Sequence, residues 1–230
     1  MCIPGAATLA ACEAKPDNSS MRQFALILAG GRSKRMGRPK EWLPFRGTTL
    51  LGHLAGTLHA AGATVAVVAR DATQALPELP LDTVVAFDAE GPPGPLRGLV
   101  GGLDRLTASG RLGADDAVFL CACDAPFVSP PLLQSLADRL LAAPDSLAAV
   151  LRSAGKRQPF SALYRPAVLP LAVELLRQGN RSLQALLDRL PLTTLDADAW
   201  PAEDPRRLGL LDFDTPADYL QHLDRIPPSS

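Results

Sequence analysis

Between Ala29 and Lys40 the sequence Ala-Gly-Gly-Arg-Ser-Lys-Arg-Met-Gly-Arg-Pro-Lys carries three glycines and five cationic side chains directly behind the apolar run Phe24 to Leu28. Glycines at a strand end let backbone N–H groups turn toward an anion without interference from a Cβ, and Arg or Lys can then neutralise phosphate oxygens. The combination describes a cradle for a triphosphate. It is neither Gly-x-x-x-x-Gly-Lys-Ser/Thr nor Gly-x-Gly-x-x-Gly, so the P-loop NTPase and the Rossmann dehydrogenase lose support. The plainer alternative is a tight turn at Gly30 and Gly31 beside a solvated basic face.

A second chemical group follows the run Ala117 to Cys123, which is apolar throughout, as a strand buried on both faces requires, and which ends at Asp124. Magnesium is satisfied by one or two carboxylates together with phosphate oxygens and waters, so a single Asp at a strand tip opposite a triphosphate loop suffices as ligand. Asp124 is the expected Mg²⁺ ligand. It also stands before Ala125-Pro126, where Asp often closes an Asx turn without any metal, and the two roles can coexist. Cys121 and Cys123 share a strand face and read as buried core thiols.

These residues need elements to position them. Apolar runs of strand length at Phe24–Leu28, Thr64–Ala69, Thr83–Phe87, Ala117–Cys121, Leu147–Leu151, Phe160–Tyr164 and Leu208–Asp212 alternate with stretches of helical period. That rhythm predicts an α/β fold: a single three-layer, Rossmann-like domain over 22–226 with a mostly parallel sheet. Helix starts are marked by Thr49 before Leu50, Ser129 before Pro130 and Thr215 before Pro216. Ligands collect at the carboxyl ends of such strands, which directs attention to the loops after Leu28, Ala69, Phe87 and Cys121. Residues 1–21 are expected to form a disordered leader, with Met21 a candidate natural start, and 227–230 a loose tail. Glu13 and Lys15 interrupt the leader's apolar patch, which argues against a secretory signal.

Leu-Ala-Gly-Gly-Arg-Ser-x-Arg-Met-Gly-x-x-Lys, at Leu28 to Lys40, resembles the signature loop of the nucleotidyltransferases related to molybdenum cofactor guanylyltransferase. The resemblance implies that Leu28, Ala29 and Gly30 contact base and ribose. It also implies that Arg35 meets the outer phosphates and that Lys40 stabilises charge at the α-phosphate, with Gly31, Arg32 and Ser33 completing the nucleotide loop. The family usually carries Asp before this lysine; here Pro39 removes a carboxylate and a backbone donor. Cys-Asp-x-Pro at Cys123 to Pro126 resembles the family's metal motif, and Asp214 in Asp-Thr-Pro resembles a late motif that can face the active site as a second ligand. Gly-Pro-Leu-x-Gly at Gly94 to Gly98 resembles the guanylyl branch, Asp88 matches its nucleotide-contacting Asp with a one-residue gap, and Arg70 stands where that branch tends to carry Asn. Gln-Pro-x-x-Ala-x-Tyr-Arg at Gln158 to Arg165 resembles its acceptor-side strand. Near it Lys156, Arg157 and Arg181 either hold an acceptor phosphate or are surface charge.

The implied reaction is Mg²⁺-dependent transfer of GMP from GTP to the terminal phosphate of molybdenum-bound molybdopterin, with release of pyrophosphate. The resemblance also implies transient contact with molybdoenzymes or their chaperones. A relative using CTP or another phosphorylated acceptor, and a nucleotide-binding module that has lost its chemistry, remain open alternatives. Paired Gly30-Gly31 argues against the cytidylyl branch, which prefers Ala-Gly, while retained Lys40 and Asp124 argue against lost chemistry. Guanine offers N1–H and N2–H₂ donors to a carboxylate such as Asp88, but Asp88 suits either base imperfectly. His53, His59 and His222 are not needed as a base, because an acceptor phosphate is already ionised at neutral pH. A formal charge of −1, from 23 basic and 24 acidic residues, provides no field to hold a nucleic acid. No apolar run reaches membrane-spanning length. Four cysteines without a disulfide or zinc spacing fit a reducing cytoplasm.

Overall fold

The computed structural model describes residues 21–31, 36–199 and 212–223. Its centre is a seven-stranded sheet built from β1 (Gln23–Leu28), β4 (Thr64–Ala69), β5 (Val84–Phe87), β6 (Ala117–Ala122), β7 (Ala148–Ser153), β8 (Lys156–Tyr164) and β9 (Leu192–Asp196), in the order β5-β4-β1-β6-β8-β7-β9. Two further short strands, β2 (Pro44–Phe45) and β3 (Thr48–Thr49), form a separate hairpin. Arg46 and Gly47 join them with φ of 48° and 78°, the left-handed pair that a two-residue type I′ turn demands.

β1 pairs in parallel with both β4 and β6, and β4 with β5, so the chain runs outward from β1 to one edge and then returns to its other flank. That reversal opens a crevice at the carboxyl ends of β1 and β6. β8 runs antiparallel between β6 and β7, and β9 is parallel to β7. The sheet is thus mostly parallel, as expected.

Two apolar layers cover it. Alternate side chains of β1 separate cleanly: Phe24 and Leu26 pack with α2 (Pro95–Ala108), α4 (Leu169–Arg177) and α5 (Leu183–Leu187), while Ala25 and Ile27 pack with α1 (Leu50–Ala60) and α3 (Pro130–Leu141). The expected caps form: Thr49 accepts from Gly52 N–H, Ser129 from Leu132 N–H and Thr215 from Asp218 N–H, the last at the start of α6 (Pro216–Leu223). A third, smaller cluster of Met36, Leu43, Phe45, Leu50, Phe213 and Tyr219 joins the β2–β3 hairpin to the final helix.

Some elements depart from the sequence expectation. β9 was not anticipated, because Leu192–Asp196 is short, polar and mostly half-exposed. β8 begins at Lys156 rather than Phe160: its polar start pairs with the end of β7 across a register shift after Val150, and Pro159 sits in that irregularity, where a missing N–H is tolerated. The expected strand Leu208–Asp212 lies outside the described residues except for Asp212, which is not in a strand. The expected leader lies outside them except for Met21, as does the expected tail.

Candidate active site

The parallel register brings the anticipated groups to one edge. Leu28 is level with Val68 on one side and with Ala122 on the other, and Ala69 is level with Phe87. Backbone bonds extend the alignment beyond the strands: Ala29 N–H donates to Val68 O, Asp88 N–H to Ala69 O and Cys123 N–H to Leu28 O. Gly30, Arg70, Asp88 and Asp124 therefore emerge side by side from β1, β4, β5 and β6, and all four line one cleft of about 460 Å³ together with Leu28, Gly31, Lys40, Arg97 and Phe160. That volume suits a small ligand.

Lys40 opens a 3₁₀ turn, Lys40–Trp42, preceded by Pro39 in extended conformation and by Gly37 at φ 69°. The next residues, Leu43 and Phe45, are anchored in the small third cluster, so the lysine is carried inward and left 9 % exposed. Its Nζ donates to Asp124 Oδ2 at 2.6 Å and to Asp214 Oδ1 at 3.1 Å. Burial works against the ammonium, but the hydrogen bonds and charges of Asp124 and Asp214 outweigh it and hold the lysine pKa above its ordinary value. Asp214 arrives from a segment distant in sequence through a clasp: Phe213 N–H donates to the backbone oxygen of Asp124 at 2.9 Å.

At the β6 tip two carboxylates, Asp124 and Asp214, thus meet one ammonium. Among the described residues no three His, Cys, Asp or Glu side chains converge into a closed metal cage. An open pair such as Asp124 and Asp214 is nonetheless the donor set that suits Mg²⁺, a hard cation that keeps waters and phosphate oxygens in its shell. Cys121 and Cys123 are buried beside this pair; burial first, then the charge of Asp124, pushes both thiols well above the usual range, so they are inert core groups.

At the other end of the cleft Asp88 is tied to Arg97, whose Nε lies 2.9 Å and Nη2 2.8 Å from Asp88 Oδ2. Burial raises the Asp88 carboxyl above its ordinary pKa, against the opposing pull of Arg97. Gly98 lies behind Asp88: a Cβ there would stand 3.1 Å from Asp88 Oδ1 and 3.0 Å from Leu28 Cδ2.

Residues that the sequence did not single out complete the loop. Gln74 accepts from Arg70 N–H and donates to Ala29 O and to Glu41 Oε1, which pins the Ala29–Gly30 bend to the turn carrying Lys40. Glu41 is 4 % exposed, and its Oε2 has no hydrogen-bond partner among the described residues. No local signal marks Gln74; only the fold brings it to Ala29. Arg97 occupied the variable place in a motif and carried no signal of its own.

Arg32, Ser33 and Arg35 lie outside the described residues. Ala29 is buried behind the cleft and presents its carbonyl to Gln74. None of the three cations considered for an acceptor phosphate lines the cleft: Arg157 is turned away to Leu187 O and pairs with Asp188, and the Arg181 backbone packs against Gly94. For Arg157, surface charge is the better description.

Comparison with known proteins gives the family and the fold. The MobA-like NTP transferase domain matches residues 25–194. The chain belongs to that family. It is 35 % identical to the molybdenum cofactor guanylyltransferase of Pseudomonas entomophila, across 83 % of this chain and 93 % of that one. The molybdopterin-guanine dinucleotide biosynthesis protein A of Archaeoglobus fulgidus shares the fold, with a TM-score of 0.68 at 19 % identity over 88 % of this chain and 97 % of the other. Rv0371c of Mycobacterium tuberculosis, solved in complex with manganese, gives 0.58 at 25 % identity, over 89 % and 98 %. The protein is a nucleotidyltransferase. Among the described residues of this nucleotidyltransferase no helix is long and apolar enough to cross a membrane.

Proposed function

We propose that this nucleotidyltransferase moves GMP from GTP, with Mg²⁺, onto the terminal phosphate of molybdenum-bound molybdopterin and releases pyrophosphate. The carrying observation is the buried Lys40 ammonium, 2.6 Å from Asp124, in the same cleft as the Gly30–Gly31 turn. The donor and acceptor are supported by the similarity to molybdenum cofactor guanylyltransferases, and a divalent cation by the manganese complex of Rv0371c.

An acceptor phosphate oxygen attacks the α-phosphorus in line. A P–O bond forms there as the bond to the bridging oxygen breaks, and that oxygen leaves with the electron pair as part of pyrophosphate. The attacking oxygen is already anionic, so no side chain has to remove a proton. Lys40, fixed by two carboxylates, holds positive charge where negative charge accumulates on the α-phosphoryl group, and Arg35 is assigned to the outer phosphates; catalysis is positioning and electrostatics. Asp124, with Asp214 on the other side of Lys40, would hold Mg²⁺, which supplies charge neutralisation and a template for the triphosphate. Leu28, Gly30 and Gly31 form the floor on which nucleoside and phosphates lie.

Thermal shift with Mg²⁺ and each of GTP, CTP, ATP and UTP checks the donor, since stabilisation follows RT ln(1 + [L]/Kd). GTP is expected to give the largest shift; an equal shift with CTP removes the guanylyl assignment and leaves the transferase class standing. Lys40→Ala is expected to lower kcat for pyrophosphate release on the order of 10²- to 10³-fold, the loss typical of one preorganised charge donor. Unchanged turnover would show that the lysine is not part of the chemistry.

A further inference from the structure

The β5 end of the cleft holds a largely buried ion pair, Asp88 with Arg97. The Asp88 and Arg97 side chains are 12 % and 20 % exposed, and both face the cleft. The carboxylate lies close against two glycines, in space that any side chain there would contest: Oδ2 stands 2.9 Å from where a Cβ would sit on Gly30, and Oδ1 3.1 Å from the same point on Gly98. The helix that carries Arg97 is closely packed too. A Cβ on Gly94 would meet the Arg181 backbone oxygen at 2.7 Å, and one on Gly101 would meet Phe87 O at 1.9 Å, so α2 lies directly on β5 and on the segment before α5.

Asp88 Oδ2 receives two guanidinium nitrogens, Nε and Nη2. A carboxylate committed in this way is poorly placed to receive both donors of guanine's N1–H and N2–H₂ edge. Arginine, by contrast, has five N–H groups in a planar fork, and the pair with Asp88 leaves part of that fork for the cleft. Its natural complement on a purine is the adjacent O6 and N7 acceptors of guanine; adenine and cytosine place an amino donor at the corresponding ring position.

We propose that Arg97, held by Asp88, reads the base through guanine O6 and N7, and that Asp88 acts through Arg97 as a positioning residue. The inference rests on the guanylyl reading above and adds a specificity residue to it. The phosphate end at β6 lies three strand spacings from β5, about 14 Å, a span that leaves room for a nucleotide with its base toward Arg97.

Calorimetric Kd values with Mg²⁺ for GTP, 7-deaza-GTP (no N7), 2-aminopurine riboside triphosphate (no O6) and inosine triphosphate (no N2 amine) test it on the full chain. The wild type is expected to lose on the order of 10- to 100-fold with each of the first two analogues, as for a bidentate Arg contact, and less than about 3-fold with inosine triphosphate. In Arg97→Gln and Arg97→Met the GTP affinity falls toward that of the two analogues, so the penalties collapse. Asp88→Asn is expected to weaken GTP binding without changing the inosine-to-guanosine ratio, which a carboxylate reading N2 would change. The wild-type series needs no variant to fold. A wild type penalised by inosine triphosphate and indifferent to 7-deaza-GTP overturns the proposal, as do folded Arg97 variants that keep the wild-type penalties. A wild type that binds GTP no better than CTP overturns the guanylyl reading, and this inference falls with it.

Discussion

Among single residues, Asp88 and Arg97 make the most testable pair, because burial and ion pairing oppose each other there. Burial holds the Asp88 carboxyl above its ordinary pKa, and Arg97 pulls it back. A carboxyl raised in this way binds its proton more tightly folded than unfolded. It therefore favours the fold while protonated and weighs against it as pH rises through its folded value. Removing Arg97 enlarges that effect, since an unpaired buried carboxylate is costly only when ionised. Arg97→Met should thus destabilise the protein more at about pH 8 than at about pH 5, measured by urea unfolding at both. A pH-independent penalty would mean that lost packing, not the orphaned charge, is the cause. At this scale the sequence disclosed one class of residue and concealed another. Gly30, Lys40 and Asp124 stand in short runs whose composition speaks for itself, and they do meet in one cleft. Gln74 and Glu41 were silent, because their roles depend on contacts 45 and 33 residues apart in the chain that only the folded sheet creates.

Elements were legible where period and caps were strong. β1, β4, β5 and β6 are apolar enough to announce a buried parallel sheet, and the three capped helix starts hold. The antiparallel run of β8 was not legible, since alternation gives a strand's faces but not its direction. The packing of α2 on β5 was hidden too, although its cause is written in the sequence as Gly-Leu-Val-Gly-Gly over residues 98–102. A Cβ on Gly101 would stand 1.9 Å from Phe87 O, whereas one on Gly56, in α1, meets nothing within 4 Å. Gly101→Ala should therefore cost on the order of 3 kcal/mol or more as the helix is pushed off the sheet. Gly56→Ala should stabilise by about 0.5–1 kcal/mol through helix propensity. Chemical denaturation of both variants checks the contrast, and equal effects would refute the close helix–strand approach.

In the molecule as a whole, the last described segment closes what the first one opens. Phe213 is fully buried, and its ring meets those of Phe45, Phe127 and Tyr219 at centroid separations of 6.0, 5.9 and 5.6 Å. One side chain thus joins the hairpin below Lys40, the loop beyond Asp124 and α6. Phe213→Ala should cost about 3–5 kcal/mol, as for other buried aromatics. It should also reduce kcat in protein that remains folded, because Asp214 loses its footing beside Lys40; a folded variant with full turnover would separate this cluster from the chemistry. The sequence hinted at Asp214 through its Asp-Thr-Pro setting but not at the clasp that delivers it. That delivery makes the centre depend on two acids made far apart in time on the ribosome. A nascent chain acquires the glycine turn, the lysine and the first acid early, yet their partner is translated ninety residues after Asp124. If Asp214 serves the centre as proposed, products truncated between Asp124 and Asp214 inherit an unfinished one, and the enzyme is armed only after residue 214 has been made.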